Sequence, residues 1–175
     1  MRVNISQQSQ RGIGMVEVLV ALLLLAVGVL GFSALQSYAV YSTTESLNRT
    51  QALTVMRGLA ERIRVNGTTP AILTNYRNAM GAGQPTAPAN RCITASCDSA
   101  QLALVDVYDA RAAAWDSGIQ LGMNVCPGTV GAGARQCLLA AWDKTTATIG
   151  TDENACMDLE GVYLQQATCI VMEIY

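Results

Sequence analysis

Between Glu17 and Glu45 the chain runs through VLVALLLLAVGVLGFSALQSYAVYSTT without a single charge. At about 1.5 Å of rise per residue, such a run is long enough to cross a bilayer as one helix. A secretory signal is usually shorter and is followed by a small-residue cleavage site, which is lacking here. Past the run the pattern turns amphipathic. Leu53, Met56, Leu59, Ala60 and Ile63 recur at three- and four-residue steps, while Arg49, Arg57, Arg62 and Arg64 take other faces. One helix is therefore predicted over 13–65, with a transmembrane part at about 13–38 and a later stripe packed on a globular head.

Asn66-Gly67 is read as the helix stop, supplying residues that tolerate positive φ. Thr69-Pro70 reads as the cap and first turn of a short helix through about Ala79. The small and proline-containing stretch GAGQPTAPAN, residues 81–90, is a surface linker. Ser99 is expected to cap a helix running to about Ser117, with Leu102, Val105, Tyr108, Ala112 and Trp115 on its inner face and Gly118 at its end. The period then falls to two: Leu121, Met123 and Val125 alternate with Gln120, Gly122 and Asn124. Further strands are predicted at Gln136–Asp143 and in the terminal TCIVMEIY, with 144–155 a loop and 161–165 pairing with the last strand. Long helix, short helices and three or four antiparallel strands make an α+β chain with a head at 66–175.

Composition narrows the function. There is no histidine among the 175 residues, which removes histidine-based triads and makes a catalytic zinc site improbable. No P-loop, nucleophile-elbow or dinucleotide fingerprint is present, so the chain reads as a structural subunit and not an enzyme, with no cofactor. Asp106 and Asp109 are expected on an exposed helix face. The acidic stretch Asp152, Glu153, Asn154, Asp158 and Glu160 lacks the EF-hand spacing and reads as a solvated loop. Trp115, Trp142 and Tyr175 are expected in the core.

The formal net charge is −2, and removing residues 1–12 would take away Arg2 and Arg11 and leave the rest more acidic. Direct nucleic-acid binding through phosphates is not expected. Arg2 and Arg11 precede the span, and basic flanks stay cytoplasmic, so the head belongs on the periplasmic side. Its cysteines suit that compartment. They fall into sequential couples, and the pairing expected is Cys92 with Cys97, Cys126 with Cys137, and Cys156 with Cys169.

Glu17 is the outlier, because a carboxylate beside hydrocarbon costs roughly 2.5 to 3.5 kcal/mol. Cutting the chain after Gly12 would create a partner, since the new α-amino group of Ile13 is cationic at neutral pH and lies about one helical turn away. The segment QRGIGMVEVLVALLLLAVGVLGF resembles the class III signal of type IV prepilins, in which a membrane-embedded peptidase cuts after a glycine and a glutamate stands at the fifth mature position. Ile13 departs from the phenylalanine or methionine common at the first mature position. Within the class, EVLVALLLLAVGVLGFSALQ and RTQALTVMRGLAERIRVN resemble PilV-like minor pilins.

The resemblance implies a pilin fold, cleavage after Gly12 by a prepilin peptidase, N-methylation of Ile13, and use of Glu17 to set assembly register. It also implies an inner-membrane protein that joins a pilus, with other minor pilins, the major pilin and a pilus-tip adhesin as partners. A minor pseudopilin of a type II secretion system shares the same N-terminal pattern. A membrane-anchored periplasmic binding module is the reading from another class.

Overall fold

The computed structural model describes Gly12 and residues 14–93, 95–131 and 134–174. Residues 1–11, Ile13 and Tyr175 lie outside the described residues, so the expectations placed on them are not addressed by the structure. The order is α1 (Met15–Asn66), α2 (Pro70–Ala79), α3 (Ser99–Trp115), β1 (Gln120–Val125), β2 (Gln136–Ala141), β3 (Thr146–Ile149), β4 (Ala155–Met157) and β5 (Cys169–Glu173). The chain forms two compact units, Met1–Thr44 and Glu45–Tyr175.

In the second unit the C-terminal part of α1, the short helices and a three-stranded antiparallel sheet of order β1-β2-β5 close around one core. Met56, Leu59 and Ile63 of α1 meet Ala103, Val107, Ala110 and Ala114 of α3 and the inward side chains Leu121, Met123, Leu138 and Ala140 of the sheet. Each of these apolar residues leaves water, at about 25 cal/mol per Å² of apolar surface. Strand β2 is buried along its whole length because the other face of the sheet is also covered, by a parallel pair β3-β4 and the cysteines. Leu139 and Ala141 pack there with Ala147 and Met157. Disulfides join Cys92 to Cys97, Cys126 to Cys137 and Cys156 to Cys169. The Cys126–Cys137 bridge ties the end of β1 to the start of β2, and Cys156–Cys169 ties β4 to β5.

Several local expectations change. Helix α1 stops at Asn66, but Gly67 does not adopt positive φ. Glycine is needed for space instead: a Cβ there would lie 2.6 Å from the Ile63 carbonyl oxygen and 2.9 Å from Leu73. Asp98 rather than Ser99 caps α3, in a capping box with Gln101. Gly118 does take φ of +70° and stops α3, letting Ile119 N–H reach back to the Ala114 carbonyl.

The buried residues of α3 are Ala103, Val105, Asp106, Val107, Ala110 and Ala114, so Val105 lies inside as expected, whereas Leu102 and Trp115 are exposed. Both faces of this helix are apolar in sequence, and the one lined with alanines allows the neighbouring backbones closer. The expected loop 144–155 contains β3 and the turn into β4. Residues 161–165 form no strand paired with β5; Tyr163 bridges Met157 instead.

Candidate functional site

Gly12 and Gly14 are exposed, with nothing within 4 Å of a Cβ at either position. Helix α1 begins immediately afterwards, and the Glu17 N–H donates to the Gly14 carbonyl at 2.9 Å. Glu17 therefore sits in the first turn, where the unpaired N–H groups of the helix end favour a negative charge. Its side chain is exposed and makes no ion pair among the described residues.

The helix that follows carries an 18-residue window of mean hydropathy 2.8, none of it buried within the chain. Four of its hydroxyl groups are satisfied internally. Ser33, Ser37, Thr43 and Thr44 donate to the carbonyls of Val29, Ser33, Ala39 and Val40 at 2.8 to 3.0 Å. Hydroxyls that bond within their own helix can face hydrocarbon or other apolar helices without being stranded. Gly28 and Gly31 share one face and have open space around them, which leaves room for a close neighbouring helix.

The head has a polar network that the sequence reading missed. Tyr76 is fully buried, and its hydroxyl donates to Asp106 at 2.6 Å while accepting from the Asn66 amide at 3.1 Å. Arg62 approaches the other Asp106 oxygen at 3.5 Å and Asp109 at 3.7 Å. Asp109 in turn holds Arg91 at 2.8 Å, with the Arg91 guanidinium over the Tyr108 ring. Asp106 is 7% exposed, so the expectation of an exposed pair fails at this residue. Burial, followed by the Asp106 hydrogen bond, pushes the Tyr76 hydroxyl well above the ordinary tyrosine range. The available signal was the spacing of Arg62, Asn66, Tyr76 and Asp106 on three helices whose small residues pack together.

These groups lock α1, α2 and α3 to one another and offer no exposed nucleophile or base. No group of acidic or cysteine side chains with metal-binding geometry occurs among the described residues. The processing signal lies in the first unit; the disulfides and the polar network lie in the second.

Residues 7–33 match the prokaryotic N-terminal methylation motif, and residues 34–108 match a family model described as type IV pilin Tt1218. No curated protein and no solved structure matches the chain. The motif and the apolar helix point to membrane anchoring, processing by a prepilin peptidase and assembly with other pilins. The two matches run one after the other from residue 7 to residue 108, and over that stretch the chain is similar to type IV pilins.

Proposed function

We propose that this chain is a PilV-like minor pilin that primes assembly of a type IV pilus and forms part of its tip complex. The observation that carries the reading is the placement of Gly12 and Glu17 at the head of a charge-free helix whose apolar surface nothing in the described chain covers. The precursor spans the inner membrane once, with residues 1–12 in the cytoplasm and the disulfide-bonded head, 66–175, in the periplasm. Cleavage after Gly12 exposes the Ile13 amine, which is then N-methylated.

Once the leader is gone, the exposed α1 surface at about 13–38 packs among the corresponding helices of the major pilin and other minor pilins. Glu17 faces a terminal amine in that bundle. An unpaired carboxylate there is costly, so only the axial position that brings the two charges together is stable. The head remains at the surface of the assembly, where it meets other minor pilins and supports a large tip adhesin, and through it attachment or twitching motility.

Deletion of the gene tests this reading. Surface pili should fall sharply and return with the wild-type gene, while secretion through a type II system continues. Loss of secretion with pili intact would identify a minor pseudopilin instead, and retention of both would leave a membrane-anchored binding module.

A further inference from the structure

The two edges of the β1-β2-β5 sheet are treated differently. The Trp142 N–H donates to the Thr168 carbonyl and the Ile174 N–H to the Gln136 carbonyl, which sets the phase of the β2-β5 ladder and turns the backbone groups of Val171 outward. That edge is blocked. The Tyr163 hydroxyl takes the Val171 N–H at 3.2 Å, and the Arg135–Glu173 ion pair lies at the end of the same strand. These are the devices by which natural sheets close an edge.

At the other edge, the Cys126 N–H donates to the Arg135 carbonyl at 2.8 Å in register with the β1-β2 ladder. Gln120, Gly122 and Asn124 therefore bond to β2, and Leu121 and Met123 turn their N–H and C=O groups away from it. No loop or side chain among the described residues supplies those groups with a partner, although both residues are only 3% exposed. Strand β3 belongs to a separate sheet, with Ala147 against Gly122. A cavity of about 350 Å³ borders this edge, lined by Leu121, Met123, Met80, Thr148 and Asp152. Gln120 lines it too, and its side-chain oxygen is buried without a hydrogen-bond partner.

Backbone groups that are both sheltered and unpaired are rare in a folded domain. The complement they require is a row of N–H and C=O groups at strand spacing. Asp152 is the charged residue of the lining, and no cation pairs with it among the described residues. A second copy presenting the same edge would bring another Asp152 and no cation. We propose that the β1 edge is a docking site for an extended segment of a different protein, which adds as a strand beside Leu121 and Met123 and places a lysine or arginine near Asp152. The site does not depend on the processing or tip reading.

The test uses the full chain in detergent micelles and a capped peptide that alternates threonine and valine with a lysine at each end, so that either strand direction brings a cation to Asp152. Strand addition draws its affinity from main-chain bonds, so a sequence-tolerant probe is sufficient at millimolar concentration. Amide exchange at Leu121 and Met123 should slow about tenfold on adding peptide, while Val171 is unchanged. The same peptide N-methylated at alternate residues should give no slowing. Asp152→Asn keeps the acceptor to the Asn154 N–H and should weaken the peptide about threefold. No slowing at Leu121 and Met123, or equal slowing by the methylated peptide, overturns the proposal. Protection that rises with protein concentration in the absence of peptide also overturns it, in favour of edge pairing between copies.

Discussion

Trp142 donates its indole N–H to Glu45 at 2.8 Å across 97 positions of sequence, joining the end of β2 to the start of the head's share of α1. The other Glu45 oxygen accepts from Arg49 at 2.8 Å, so one carboxylate holds both a helix neighbour and the sheet. Trp142 is 3% exposed, which shields the bond from water.

Trp142→Phe and Glu45→Ala should each destabilise the head by about 1.5 to 3 kcal/mol, the range for a hydrogen bond to a charged group. Glu45→Gln, which keeps an acceptor, should cost less than Glu45→Ala. Urea unfolding of the full chain in micelles checks the order, with the half-exposed Trp115 as the second emitter.

Tyr76 supplies a pH dependence. Its folded-state pKa is raised, because burial and the bond to Asp106 favour the neutral phenol. The native state therefore keeps a proton that the unfolded chain releases above about pH 10. Stability from this group is fully present below that pH and is lost as pH rises toward the folded pKa. Tyr76→Phe should cost about 1 to 3 kcal/mol at neutral pH by removing the donor to one buried Asp106 oxygen. It should also flatten the alkaline decline relative to wild type, as denaturation midpoints across pH would show.

Much of this architecture is legible in residue patterns. The charge-free run and the Leu53–Ile63 stripe foretell α1, and Thr69-Pro70 and the alternation after Gly118 foretell α2 and β1. What escapes the pattern has physical causes. Asp106 looks solvent-facing because its partners, Tyr76 and Arg62, are 30 and 44 residues away. The face of α3 is ambiguous because alanine packing competes with the larger residues opposite. β3 and β4 are too short to show a period, and their pairing is parallel and non-local. The processing segment is legible because it depends on local spacing alone.

Gly122 illustrates a constraint that alternation hides. Its polar-face position appears neutral, yet a Cβ there would run into the Ala147 carbonyl, which is backbone and cannot swing aside. Gly122→Ala should lose roughly 3 kcal/mol by overpacking, whereas Gly28→Ala, in open space within a helix, should not lower the thermal midpoint. Calorimetry of the two variants separates packing at the sheet from glycine content in general.

The most direct test of the central claim is the N-terminal mass of the protein recovered from native membranes and from sheared surface filaments. A mature chain beginning at Ile13, carrying one methyl group and present at low abundance in the filament fraction, is the predicted result. An intact Met1, or a cut elsewhere than after Gly12, would contradict processing as a pilin subunit.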